Sequence, residues 1–251
     1  MTTELDRTVR ATGAPRTPRM AAVITRRALV NYRVDPGIAQ SLLPDGLHPQ
    51  LINGSAVAGV CLIRLDSFRP AAIRPAIGLA SRSTAHRIAV EWENATGRHT
   101  GVYIPRRHSA SRLARAAGGR VFPGLYARAS VTFRDTDGKI HARVDAEDLR
   151  VRMNARRGPG VAFHSELFTT LEESSEFFRK DPVGWSPSRS GALEGLRLDT
   201  DAWRVDPLEV TDLASSFFDA LPRGSAVFDH AFLMRDVPAR WSSPAEPSPV
   251  A

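Results

Sequence analysis

A neutral imidazole aimed into an apolar interior is suited to taking up a proton, and two of the seven histidines of this chain sit in patterns that aim them there. Side chains along a strand alternate between faces, so His86 shares a face with Ile88, Val90 and Trp92 while Arg87, Glu91 and Glu93 point the other way. By the same count His230 shares a face with Phe228, Phe232 and Met234. His86 and His230 are therefore the candidate acid/base residues. A buried histidine satisfied by one backbone partner fits the same pattern. No two histidines have the short spacing at which one strand or helical turn presents paired ligands, so no structural metal is expected.

Orienting groups are drawn from arginine and tyrosine. Arg27, and Arg106 with its neighbours Arg107 and His108 just after Pro105, could clamp a carboxylate through two parallel N–H bonds, or could be solvated or paired with nearby acids. Tyr103 and Tyr126 each place a hydroxyl on an otherwise apolar strand, where it can orient a ligand oxygen or simply pack. Motifs that would name a reaction are missing: there is no phosphate-binding Gly-rich loop with Lys, no dinucleotide fingerprint, no His-Glu-x-x-His and no Gly-x-Ser-x-Gly. Gly158-Pro159-Gly160 reads as a tight loop.

The elements that must position these residues are mostly strands. Short β-branched and aromatic runs punctuated by Gly, Pro, Asn and Asp predict strands at Met20–Tyr32, Ser55–Leu65, His86–Glu93, Thr100–Ile104, Leu125–Arg134, Lys139–Ala146, Leu149–Met153, Leu193–Leu198, Leu208–Phe217 and Ala226–Arg235. Asp135 to Gly138 has the chemistry of a hairpin turn. Asp35-Pro36 opens a short helix reaching about Leu43. Further helices are expected at Ser109–Ala117 and at Thr169–Arg179, the latter with Thr169-x-x-Glu172 as a capping box. Segments 66–85 and 181–192 read as loops long enough to cover a pocket mouth.

Composition bounds the rest. A chain of 251 residues with 42% hydrophobic content can fill one large core, expected over residues 19–241, with tails at 1–18 and 242–251 too polar to order themselves. No apolar stretch is long enough to cross a bilayer, and Met1 to Met20 lacks the apolar core of a secretory signal. Cys61 is the one cysteine, which excludes an intramolecular disulfide and a zinc-thiolate site and makes a reducing cytoplasm the simplest home. The formal charge of +7 is carried by arginines spread over a tail and short pairs, with lysine only at Lys139 and Lys180. Without aromatic interleaving this distribution argues against nucleic acid as a partner.

Several segments, in order, resemble the acetoacetate decarboxylase-like superfamily and within it the YqjF-like bacterial branch. They are Arg26-Arg27-Ala-Leu-Val-Asn-Tyr-Arg-Val-Asp35-Pro, Leu42-Leu43-Pro44, Gly101-Val-Tyr-Ile-Pro105, Ala116-Ala-Gly-Gly-Arg120-Val-Phe122-Pro123 and Val227-Phe-Asp229-His230-Ala231. The resemblance covers about residues 20–240. It implies a β-rich α+β fold, an antiparallel barrel or cone with a few short helices, enclosing a small-molecule pocket and commonly assembled into homo-oligomers. It also implies a departure, since Gly124 and Leu125 stand where acetoacetate decarboxylases carry two lysines for imine chemistry. The family's catalytic glutamate matches nearest to His86 or Arg87, and its substrate-binding arginine falls near Thr25 to Arg27. The resulting expectation is a pocket that acts on or binds a small carbonyl or carboxylate compound. It needs no cofactor; His86 and His230 are the acid/base groups, and Arg27, Arg87, Tyr103, Arg106 and Tyr126 are orienting groups. A non-catalytic sensor is the alternative.

Overall fold

The structure is a computed structural model and describes residues 18–74, 78–94, 96–112, 116, 123–180, 182–245 and 248–249. Residues 113–115 and 117 of the helix expected at Ser109–Ala117, residues 119–122 of the Gly-Arg-x-Phe-Pro stretch and the N-terminal tail up to residue 17 lie outside the described residues.

In chain order the elements are β1 (Met20–Val34), α1 (Pro36–Ser41), β2 (His48–Pro49), β3 (Leu51–Ile52), β4 (Ser55–Pro70), β5 (Leu79–Asn94) and β6 (Gly97–Ser109). They continue with β7 (Tyr126–Arg128), β8 (Ser130–Thr136), β9 (Lys139–Asp145), β10 (Arg150–Arg156), α2 (Leu171–Lys180), β11 (Val183–Pro187), β12 (Leu193–Thr200), β13 (Val205–Ser215), α3 (Ser216–Asp219) and β14 (Ala226–Ser242). Local chemistry accounts for the ends. Asp35 accepts from the Ile38 N–H at 3.0 Å and Pro36 opens α1. Asp137 and Gly138 both have positive φ, as the tight β8–β9 hairpin requires. The cap of α2 falls one residue later than expected: Thr170 Oγ1 accepts from Glu173 N–H, and Glu173 accepts from Thr169 N–H.

Two layers result. Among the described residues β1, β4, β5, β6, β11, β12 and β14 pair in succession, and β14 pairs back onto β1, so the ladder closes into a ring. The pairing is mixed rather than wholly antiparallel, because β6 runs parallel to β11 and to β7. The sheet then continues through β13, β10, β9 and β8, which lie over the outer face of the ring. Their inward residues, among them Val131, Phe133, Ile140, Val144, Val151 and Met153, pack with Ala28, Val30, Val60, Leu62, Ile88, Val90 and Trp92 of the ring strands. Burial of this apolar face is the main stabilising term of the fold.

Strand β4 runs to Pro70 and β5 starts at Leu79, so much of the segment expected as a loop over 66–85 is paired strand. A register shift between Leu65 and Phe68, with Ser67 at positive φ, breaks the alternation, and Ser81 and Ser83 make the inner face polar, which together hide the strand period. Within 181–192, likewise expected as a loop, lies β11, where a Cβ on Gly184 would come 2.8 Å from the movable end of Ile104, Cδ1. Among the described residues no helix is long and apolar enough to cross a membrane.

Candidate functional site

Arg27 and Leu29 of β1, Cys61 to Leu65 in alternation on β4 and Ser81 to Ala89 in alternation on β5 turn into the ring and line a cavity of about 1040 Å³. Every ring strand contributes, with Arg27, Cys61, Ser83, Arg87, Ile104, Gly184, Leu198 and Trp241 among the lining. Helix α2 closes one end with Phe177 and Phe178, which pack against Leu29, Ala89 and Phe232. The helix is built for this: Leu171, Ser174, Phe177 and Phe178 share one stripe, while Glu172 and Glu173 in the first turn and Arg179 and Lys180 in the last complement its dipole.

Arg87 is the most deeply buried arginine or lysine among the described residues, 6% exposed, with its guanidinium 4.3 Å over the Phe178 ring. One line across four strands holds it. His230 on β14 pairs with Asn31 on β1, Asn31 pairs with Gly59 on β4, and Gly59 pairs with Arg87 on β5. Gly59 has no side chain to fill the middle of this row, so Arg87 reaches across it and donates to Asn31 Oδ1. A Cβ at Gly59 would sit 3.2 Å from that same oxygen and 2.4 Å from the Val30 carbonyl. The Asn31 amide lies 2.8 Å from His230 Nε2, which is also 2.7 Å from Ser174 Oγ, and His230 Nδ1 lies 2.7 Å from Asp229 Oδ2. One consistent set of directions has Nδ1–H donating to Asp229, the Nε2 lone pair accepting from Asn31 Nδ2–H and Asn31 Oδ1 accepting from Arg87, with Ser174 Oγ beside the same nitrogen.

Electrostatics agree with this geometry. Burial lowers the pKa of His230 and outweighs the attraction of Asp229. Burial alone would raise Asp229, but hydrogen bonds from His230, Ser165 and the Glu166 N–H hold its carboxyl below the usual range. Burial draws Arg87 down to about 9, and the neighbouring charge of Arg27 acts in the same direction, so Arg87 remains a cation at neutral pH. Arg27 enters the cavity from β1 with its guanidinium 5.6 Å from the Trp203 ring. Its Nε and Nη1, and Nε of Arg87, are buried without a hydrogen-bond partner among the described residues.

Tyr126 also lines the cavity, next to Arg107, whose Nε donates to Ser186 Oγ at 2.9 Å. Pro105 explains why Arg107 faces inward. A register shift in the β5–β6 ladder pairs His86 with Arg106 but Ile88 with Tyr103, which places an extra β6 residue between Tyr103 and Arg106. Ile104 and Arg107 therefore face the cavity, whereas Tyr103 and Arg106 share the outer face with Ile88 and His86.

His86 is fully buried in the packed layer outside the ring. Its Nε2 lies 3.2 Å from Ser215 Oγ, its ring is 4.4 Å from Phe217, and burial, aided by His108 and Arg106, pushes its pKa down to about 3. Arg106 lies beside Asp148, which also holds His108 at 2.8 Å. His86 and His230 thus occupy opposite sides of the ring wall and share no cavity. The face expected for His230 needs correcting too: a register shift leaves Asp229 as an extra residue, so Phe228 pairs with Tyr32 while His230 stacks near Phe232. His230 borders a separate cavity of about 300 Å³ beside Phe163 and His164.

Of the expected residues, the structure brings Arg27, Arg87 and Tyr126 together in the ring cavity and leaves His86, His230, Tyr103 and Arg106 outside its lining. Sequence reasoning missed Asn31, whose signal was present: a lone carboxamide in the apolar run Ala28-Leu29-Val30 must be partnered if buried. Gly124, at positive φ, accepts no side chain freely, since a Cβ there would lie 2.9 Å from Ser186 Cβ and 3.0 Å from Arg107 Nε. Lys180 reaches the cavity rim at the end of α2.

A ring of strands around a cavity closed by a helix is the acetoacetate decarboxylase-like fold. The enduracididine biosynthesis enzyme MppR complexed with pyruvate superposes with a TM-score of 0.58 at 13% identity, covering 94% of this chain and 92% of that one. Acetoacetate decarboxylase from Legionella pneumophila gives 0.55 at 12% identity, covering 93% and 90%, and an acetoacetate decarboxylase-like enzyme from Sphingomonas wittichii RW1 gives 0.54 at 14%, covering 98% and 99%. At these identities the likeness is one of fold. Residues 22–228 match DUF2071, described as an uncharacterized conserved protein (COG2071), and the chain belongs to that family. Among curated proteins none matches it.

Proposed function

We propose that this protein binds a small organic acid inside the ring, with the carboxylate held by Arg27 and Arg87. The observation that carries this reading is the set of buried guanidinium nitrogens on both arginines that have no partner among the described residues. Buried cationic donors are costly when unpaired, and a carboxylate offers the planar acceptor pair that guanidinium groups fit. Pyruvate bound to MppR supports the ligand class by analogy of fold. Binding is favoured over acid/base turnover because neither His86 nor His230 lines the cavity.

Calorimetric titration with a panel of organic acids, followed by mass analysis of the recovered compound, tests the reading. Carboxylates should bind and return unchanged, and Arg27→Met should weaken them by about tenfold to a hundredfold, the range for a hydrogen bond to a charged group. Equal binding of the neutral amides, or conversion of the acid, would overturn it. Gly124 and Leu125 carry no amine, so borohydride added with a keto acid should leave the protein mass unchanged; a reduced adduct on Lys180 would replace binding with imine chemistry.

A further inference from the structure

Building on that carboxylate reading, we infer that the ligand is an amphipathic acid: one carboxylate head on an extended apolar body of about eight or more carbons, the size that suits a cavity at the top of the usual small-molecule range. The cavity volume is about 1040 Å³, far more than a three- or four-carbon acid occupies. Its chemistry is also graded. Arg87 and Arg27 have buried unpaired donors, whereas Arg107 has its Nε engaged by Ser186 and lies beside Tyr126, so the Arg27–Arg87 pair marks the head position.

Beyond Arg87 the interior is stopped by Phe177, Phe178, Leu29 and Ala89, so the body of the ligand cannot extend that way. The open direction follows β5 from Arg87 past Ala85, Ser83 and Ser81 to Leu79, with Ile63, Leu65 and Phe68 of β4 alongside. Leu79 is 52% exposed at the rim, so Ile63, Leu65, Phe68 and Leu79 form an apolar strip that runs from near the arginines to solvent beside Ser81 and Ser83. Trp203 and Trp241 lie on the same lining. A short keto acid would satisfy the head and leave this wall wet, while each methylene of a longer chain would displace water from it.

The test is a calorimetric series of acetate, butyrate, hexanoate, octanoate and decanoate on the full chain, with octanamide as the uncharged control. Affinity should rise by roughly fourfold per methylene, the transfer free energy of one buried CH₂. Arg27→Met should weaken every member alike, and Leu65→Gln should weaken octanoate and decanoate while sparing butyrate. A flat series in which the short acids bind as well as the long ones would overturn this inference and leave the carboxylate reading standing. Octanamide matching octanoate would instead overturn the carboxylate reading, and no binding by any member would overturn the inference.

Discussion

Two buried imidazoles illustrate how neighbours decide what a residue type does. His230 is locked between Asp229 and Asn31, outside the lining of the ring cavity, and it orients the amide that receives Arg87. Asn31→Leu, which touches no cavity surface, should therefore weaken carboxylate binding about tenfold through loss of one hydrogen bond to a charged group, measured by calorimetry at unchanged fold by circular dichroism. Unchanged affinity would detach the relay from the site. His86 has no such duty, and its consequence is for stability. Its folded pKa is depressed from 6.5 to about 3, so the unfolded chain binds the extra proton first and stability falls as pH drops through that window. Urea denaturation between pH 6 and 4 should show a slope that is shallower by about 1.4 kcal/mol per pH unit in His86→Leu than in the parent, whatever the offset at neutral pH. Equal slopes would mean that His86 is already protonated in the fold. The sequence pointed both histidines at an apolar interior correctly in kind. Nothing in strand alternation tells which side of the wall is packed core and which is cavity, and that distinction separates Arg87 from His86 one residue away.

At the scale of elements, most strands and two of the helices were legible because β-branched runs, Asp-Pro and Asp-Gly turns and the α2 stripe are local signals. What escaped was the set of irregularities that re-aim side chains: the shift at Pro105 that turns Arg107 inward, the shift at Asp229 that parts Phe228 from His230, and the break near Ser67 that concealed the β4–β5 extension. These depend on the partner strand and so have no single-strand signature. Gly59 is the element-scale device with the sharpest consequence. Its φ is not in the left-handed region, so the constraint is space: a methyl group there meets the Val30 carbonyl and crowds Asn31 Oδ1. Gly59→Ala should cost about 1–3 kcal/mol in urea denaturation, as overpacking does, and should lower affinity for the acid because Arg87 loses its path to Asn31. Full stability would show that β1 and β4 can part there, contrary to the tight row described above.

Seen whole, the molecule divides its two buried regions by function: a packed layer between the ring and the outer sheet supplies stability, and the ring interior is left hollow. The single thiol is placed to report on that division. Cys61 is half-buried, lies on the cavity wall one row from Arg87 in the β4–β5 ladder, and has no competing cysteine. An anionic aromatic disulfide such as dithiobisnitrobenzoate should therefore enter the native cavity, drawn by Arg27 and Arg87, and release one equivalent of thiolate without prior unfolding. A ligand at a hundred times its dissociation constant leaves about one per cent of the cavities free, so the reaction should slow by about a hundredfold while an uncharged amide of equal size leaves the rate unchanged. If modification instead requires denaturant, the hollow is closed on the timescale of labelling; if the acid fails to protect, it binds elsewhere and the arginine pair is not its site.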